Sequence, residues 1–406
     1  MNSKTPFGIT PAALEAAERL LNRRTVYADC AASMPVSRRA LAAAMPYFSE
    51  LYGNPSAVHS HGTAAASALL SARRRIAELL GADVREIVFT SGGTESDNFA
   101  VRSAAALGAA QGKRHIVTTA VEHHAVLNTC KALEREGFDV DYIRPGSDGV
   151  ITPEQVEKAV TGSTCLVSVM LANNEIGTLM PAAEIAAVCR SKGVLFHTDA
   201  VQAAGHINLD VTAIGADLLS FSGHKFGAMK GAGGLYIKNG LKLQPFINGG
   251  PQEYARRAGT EPLPQIVSMA EALAESLEDL DEKNARILAM RERLADALLE
   301  IPDSRLNGSR SLRLAGNLNI SFGGIESESL LLMLDMQGIC ASGGSACTSQ
   351  TSEPSHVLSA IGTEDRYIKG SLRLTLSHLN TDEDIDRIIT AVKTSVTKLR
   401  EAAPQK

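Results

Sequence analysis

ADLLSFSGHKFGAMKGAGGLY, residues 216 to 236, holds the feature on which the fold turns. An apolar run, Leu218 to Phe221, stops on Ser222, Gly223, His224 and Lys225, and glycines then crowd the chain up to Gly234. The run has the length of a buried strand, and a polar cluster marks its exit. The same grammar recurs upstream. Ile87 to Phe89 leads into TSGGTES, His115 to Thr118 into TAVEHHAV, Cys165 to Leu171 into ANNEIG, and Val194 to His197 into Thr198, Asp199 and Gln202. Between the runs lie segments with helical spacing, such as Ala125, Leu127, Cys130 and Leu133. Strands alternating with helices predict an α/β fold whose mostly parallel sheet is sandwiched by helices. Parallel strands end on one edge of the sheet, where ligands bind, so five polar signals converge on one crevice.

From about Glu261 the texture changes. Ile266, Met269, Ala270, Leu273, Leu277 and Leu280 step by three and four, and the pattern runs on to about Leu299. As one helix this stretch would be ~50 Å long. NLNISF, a Gly/Ser-rich loop and SLRLTL follow, which predicts a smaller α+β C-terminal domain. The expected division is a large domain over 21–261 and a small one made of 1–20 and 262–406, with a reactive loop at 340–353.

With 406 residues the chain is long enough for two cores. A net charge of −5 gives no basic field for nucleic acid or an anionic membrane. The densest basic run, Arg73 to Arg75, reads as a solvated helix face. No apolar stretch approaches a membrane span, and the first 21 residues lack the apolar core of a signal peptide, so a cytoplasmic protein is expected. Its six cysteines then read as mostly reduced thiols, and without a C-x-x-C pair no metal site is expected.

Each polar signal has a chemical reading and a plainer one. Gly92, Gly93 and Thr94 at a helix start offer free N–H groups to an anion, or simply make a capped turn. Asp199 at a sheet edge should face a cation, or cap the next helix. His123 could stack on a flat ligand or move protons, or be a satisfied histidine at a helix start. Lys225 could snorkel to solvent, or serve as an amine nucleophile forming a Schiff base, with the small residues leaving room for an aldehyde. In SLRLTL, Arg373 shares a face with Ser371 and Thr375. It suits bidentate carboxylate binding, unless that face is simply exposed. Cys347 lies in a Gly/Ser/Thr stretch. Cys130, Cys165, Cys189 and Cys340 adjoin apolar runs and read as buried spacers, and Cys30 has no assigned role. A phosphate cradle, a carboxylate, a stacking histidine and a lysine together describe a site for pyridoxal 5'-phosphate.

Nine motifs then carry a family resemblance: GNPSAVHSHG (53–62), EIVFTSGGTESDN (86–98), EHHAVL (122–127), ANNEIG (172–177), HTDAVQ (197–202), SFSGHKFG (220–227), RAGTE (257–261), SGGSACTS (342–349) and EPSHVL (353–358). The chain resembles the cysteine desulfurases of the nitrogen-fixation and iron–sulfur-cluster-assembly type, class V aminotransferases of pyridoxal-phosphate fold-type I. The resemblance implies that Lys225 holds the cofactor, Asp199 pairs with its ring nitrogen and His123 stacks on the ring. It implies that Gln202 and Asn174 contact the ring-oxygen side, and that Gly93, Thr94, Ser222, Gly223 and His224 lie at the phosphate. Thr260 would reach the phosphate of the other subunit of a homodimer. Arg373, with Asn174 nearby, would hold the carboxylate of L-cysteine. Catalysis falls to Lys225, Cys347 and His123. Cys347 would take the sulfur as a persulfide and pass it to an acceptor protein, such as an iron–sulfur scaffold or a sulfur carrier. Selenocysteine lyase, an aminotransferase on the same fold and a non-catalytic scaffold are the rival readings. Tyr254, Met229, Gly343, the pair Ser377 and His378, and the run Ala31 to Ser33 depart from the usual family pattern.

Overall fold

A computed structural model of the chain describes residues 25–343 and 354–402. The twelve strands among them are β1 (Val26–Tyr27), β2 (Ile87–Thr90), β3 (His115–Thr119), β4 (Asp139–Ile143), β5 (Thr164–Ser168), β6 (Leu195–Asp199), β7 (Leu218–Ser222), β8 (Gly233–Ile237), β9 (Ser304–Leu306), β10 (Asn317–Phe322), β11 (Ile339–Cys340) and β12 (Ser371–Thr375).

Seven of them form one sheet in the order β2-β8-β7-β6-β5-β3-β4. Its neighbours are parallel except at β8, which runs antiparallel to both β2 and β7. Strand alternation sorts the side chains into two cores, one on each face. Val88, Ile116, Leu166, Leu218 and Leu235 meet Phe99 and Ala104 of the helix Gly93–Ala109. Phe89, Val117, Val167, Leu219 and Tyr236 meet Ile76, Leu80, Ile185 and Met269 on the other face. Both faces are covered, which is why the strands read as apolar runs and not as alternating ones.

The sequence reading passed over β4 and β8. β4 is an edge strand of mixed polarity, DVDYI, and β8 opens on two glycines. Those glycines serve packing. A Cβ on Gly233 would lie 2.6 Å from the Cα of Gly92, and one on Gly234 would lie 2.1 Å from the Phe221 ring. Gly233 thus lets the Gly92 loop press directly on the sheet, and Gly234 makes room for the Phe221 ring.

A second, three-stranded antiparallel sheet has the order β12-β10-β9. Its core joins Leu318, Ile320, Leu372 and Leu374 to Leu294, Leu334, Ile388 and Val26. The long apolar stripe is two helices, Leu263–Leu277 and Leu280–Leu299, not one. Asp279 between them has φ +49, and Lys283 Nζ donates to the Glu275 carbonyl at 2.8 Å near the break. The first helix buries Ile266 and Met269 in the large core, and the second buries Ile287 and Leu294 in the small one. The stripe continues because each half faces a core, and the bend redirects the chain from one to the other.

The basic run is only partly a solvated face. Arg74 and Arg75 are exposed, but Arg73 is buried. It sits in register with Leu69, Ala72, Ile76 and Leu80 on the packed stripe of the helix Ser60–Leu80. Its guanidinium donates to both Glu253 carboxylate oxygens at 2.6 Å and to the Ile87 carbonyl at 2.7 Å. The predicted N-terminal segment 1–20 and most of the loop 340–353 lie outside the described residues.

Candidate active site

The carboxyl ends of β2, β3, β5, β6 and β7 open on one edge of the large sheet, as the spacing of the motifs predicts. Beyond β7 the chain turns once, Gly223–Lys225, and delivers the lysine half-buried. Lys225 Nζ donates to the Ala31 carbonyl at 2.6 Å and to that of Ala32 at 3.1 Å. Gln202 Nε2 donates to the same Ala31 carbonyl at 3.0 Å. His224 Nδ1 lies 3.4 Å from Ser33 Oγ, and His206 Nε2 lies 3.1 Å from the Lys225 carbonyl. The run Asp29 to Ser33 therefore roofs the strand ends.

Asp199 closes β6. Its Oδ1 accepts from the Val201 N–H at 2.8 Å, and burial lifts the carboxyl to about 6 against the opposing pull of that N–H and of Lys225. After β3, His123 caps the helix His124–Arg135, with Nδ1 accepting from the Ala125 N–H at 3.2 Å. Burial first, then the charge of Lys225, pushes its pKa down to about 4, so the ring is neutral at ordinary pH. His124 stacks obliquely on His356, with centroids 4.7 Å apart. After β5, Asn173 Oδ1 accepts from the N–H groups of Glu175 and Ile176 at 2.9 Å each and holds the turn. The buried Oδ1 of the neighbouring Asn174 has no hydrogen-bond partner among the described residues.

The helix Gly93–Ala109 starts after Gly92, which has no side chain to cap it. Its first N–H groups face the same edge, beside Ser222: a Cβ on Gly92 would lie 3.7 Å from Ser222 Oγ. Thr94, in the first turn, is exposed.

Arg373 comes from the other sheet. Leu372, Leu374 and Leu376 fill the small core while Arg373 faces away from them, yet it is only 2% exposed. The plainer reading of an open strand face does not hold. Its guanidinium donates to the Asn174 carbonyl at 2.9 Å and to Asp29 Oδ1 at 2.8 Å, and its buried Nε has no partner among the described residues. Its backbone pairs with Ser342, the residue before the Gly/Ser-rich stretch.

Lys225, Asp199, Gln202, His123, Asn174, Ser222, Gly223, His224, Gly93 and Arg373 thus gather around one edge. Thr260 stands exposed on its own chain, and Cys347 lies outside the described residues. Cys130, Cys165 and Cys189 are buried, and burial raises each thiol to about 11 or 12. Cys340 is only half-buried, because its strand pairs at the margin with Tyr27. Cys30 is buried within the roof and pushed up by burial to about 11, a protonated thiol. The sequence reading missed Asp29, Ala31 and Ala32. Two of these act through backbone carbonyls, which any residue carries, and the one available signal was the short strand-like TVYA before Asp29.

The family model for class-V aminotransferases matches residues 26–388. The chain belongs to the class-V aminotransferase family. Its relatives in this family include the cysteine desulfurase IscS of Methanosarcina thermophila, 47% identical over 94% of this chain and 94% of that one. A cysteine desulfurase of Nostoc sp. is 45% identical over 94% of this chain and 95% of that one. A solved structure described as a NifS-like protein superposes with a TM-score of 0.87 at 35% identity, over 92% of this chain and 100% of that one. The fold is that of the pyridoxal-phosphate fold-type I enzymes, and class-V aminotransferases are pyridoxal-phosphate-dependent.

Proposed function

We propose that this chain is a cysteine desulfurase that uses pyridoxal 5'-phosphate to take sulfur from L-cysteine. One observation carries the reading. The amine of Lys225, just past the large sheet, and the guanidinium of Arg373, on the small one, meet one roof through Ala31, Ala32 and Asp29. A nucleophilic amine and a guanidinium suited to carboxylates are thereby held by one short run of chain.

The side chains fit the cofactor on their own geometry. Asp199 is a buried carboxylate held open by one N–H, the helix at Gly93 has an uncapped start, and Asn174 Oδ1 is buried without a partner. Asp199 would face the ring nitrogen and His123 the ring. Gln202 and Asn174 would face the ring-oxygen side, and Gly93, Thr94, Ser222, Gly223 and His224 the phosphate. Pyridoxal phosphate, when bound, supplies an aldehyde that condenses with amines and a protonated ring that withdraws electrons from the substrate's α-carbon.

Arg373 binds the substrate carboxylate and so fixes the α-carbon. Lys225 Nζ takes the α-proton and returns one to the carbon skeleton. The Cys347 thiolate attacks the substrate sulfur, a new S–S bond forms as the C–S bond breaks, and the skeleton leaves as L-alanine. Neutral His123 can accept a proton at a ring nitrogen and give it up again. The persulfide then passes to an acceptor protein, such as an iron–sulfur scaffold or a sulfur carrier.

Thr260, exposed on its own chain, reaches the phosphate of a second subunit in this reading, which makes the enzyme a homodimer; its expected compartment is the cytoplasm. The same reading divides the chain into a large domain over 21–261 and a small one of 1–20 and 262–406. The two apolar cores support a division, and the packing of Leu263–Leu277 moves the break toward 278–279. The test is product analysis of the full chain with pyridoxal phosphate, L-cysteine and a thiol reductant. Sulfide and alanine in equal amounts are expected, and pyruvate or a transaminated keto acid in place of alanine would refute it.

A further inference from the structure

A second group of titratable side chains lies beneath the strand ends. Asp97 belongs to the helix Gly93–Ala109, Glu122 follows β3, and His197 and Asp199 belong to β6. All four are buried. His197 is clamped between two hydroxyls, with Nδ1 2.8 Å from Ser168 Oγ and Nε2 3.0 Å from Ser220 Oγ. Asp97 Oδ1 lies 3.7 Å from His197 Nε2, too far for a hydrogen bond, and has no partner. Asp199 lies two residues beyond His197 on the same face of β6, so its carboxyl meets that of Asp97, with the Ser220 hydroxyl beside them.

Two touching carboxyls in a dry site cannot both ionise, so the pair carries one proton. The groups around them decide where it sits. Asp199 has the Val201 N–H and the charge of Lys225, and both favour its ionised form. Asp97 faces Asp199 and Glu122, which oppose its ionisation, and a histidine that burial pushes down to about 3 and keeps neutral. Burial also raises the Glu122 carboxyl, and although the Ser220 hydroxyl favours ionised Asp97, burial and the charge of Asp199 outweigh it.

We propose that Asp97 is a positioning residue: as a neutral carboxylic acid it donates a hydrogen bond to Asp199, keeping that carboxylate ionised and aimed at the ring-nitrogen position. The inference rests on the assignment of Asp199 made above. Asp97 touches neither substrate nor cofactor. It holds Asp199 from behind and makes β6 and the helix at Gly93 parts of one unit.

The test uses the full chain labelled with [4-13C]aspartate, with and without pyridoxal phosphate, at pH 8. Wild type should show one protonated-carboxyl stretch in the infrared, and Asp97→Asn should lack it. The label excludes Glu122 from the signal. Asp97→Asn keeps the donor and should hold the pH midpoint of the bound cofactor's visible spectrum. Asp97→Ala should shift that midpoint by at least one pH unit and lose cofactor about tenfold faster. Absence of a protonated aspartate band in wild type overturns the proposal, and so do Asn and Ala variants with the same spectra. The wild-type band alone decides the matter if a variant fails to fold. Failure of wild type to take up pyridoxal phosphate would instead sink the site assignment, with the infrared result still deciding whether the pair shares a proton.

Discussion

Lys225 donates its amine to a carbonyl 194 positions away in the chain. The roof aims it, and a cofactor aldehyde is expected to take it over. Lys225→Ala should leave no covalent cofactor after borohydride reduction and dialysis, measured by absorbance and intact mass. Reduced cofactor still fixed to the variant would show that the anchor is elsewhere. Glu122 offers a test that needs no cofactor. Its Oε1 accepts from Thr119 Oγ1 at 2.9 Å and from the Met170 N–H at 2.8 Å, while Oε2 is buried without a partner. Burial raises it from the usual 4.5 to about 8. A carboxyl that keeps its proton in the fold but loses it in the unfolded chain stabilises fully below pH ~4.5, and that stability is lost as pH rises toward 8. Glu122→Gln should remove this fall and stabilise the chain at pH 8 by on the order of 1–3 kcal/mol, since glutamine keeps an acceptor without charge. Parallel stability–pH curves for the two proteins would contradict this.

Elements explain why some of this was legible in the sequence. The five strands that lead to the site edge were readable, because a strand buried on both faces must be apolar and its exit must turn; β8 escaped because its first two buried positions are glycines. Arg373 was readable from alternation, since Leu372, Leu374 and Leu376 fix which way it faces. Arg73 was misread, although its spacing from Leu69, Ile76 and Leu80 already placed it on the packed stripe; charge was weighed above position. Its partner was out of reach of any local pattern. Glu253 accepts from Arg73 and, at 2.9 Å, from the Phe89 N–H. That grip accompanies three successive left-handed residues, Glu253, Tyr254 and Ala255, at φ +48, +59 and +58. The left-handed form costs a residue with a Cβ about 1–2 kcal/mol, and glycine returns part of that as chain entropy. Ala255 is exposed and its methyl has little packing to lose. Ala255→Gly should stabilise the chain by roughly 0.5–1 kcal/mol in urea unfolding; destabilisation would mean that the turn carries no strain.

At the scale of the molecule, two sheets meet at one edge: Lys225 follows a strand of one, and Arg373 lies on a strand of the other. The pair Asp97 and Asp199 was not legible, because nothing in TESDN or HTDAVQ says that two acids share a face until the helix packs on the sheet. The surface also points outward. Met45, Phe48 and Tyr52 are at least half exposed, and Val58 is fully exposed, an apolar strip that a single chain would present to water. Thr260→Ala and Lys225→Ala chains, each weak alone, should regain activity when mixed and reassociated, because one site of each mixed dimer has both groups. Confirmed heterodimers without rescue would place Thr260 within its own site or outside both.

Sulfur transfer itself can be read directly on the chain. The full protein, loaded with pyridoxal phosphate, is given L-cysteine without reductant, digested at low pH and weighed peptide by peptide. The account predicts one added sulfur atom on the peptide containing Cys347, none on those containing Cys30, Cys130, Cys165, Cys189 or Cys340, and none anywhere in Cys347→Ser, which should still bind the cofactor. Alanine release at the wild-type rate by Cys347→Ser, with no sulfur found on any peptide of the wild type, would contradict it.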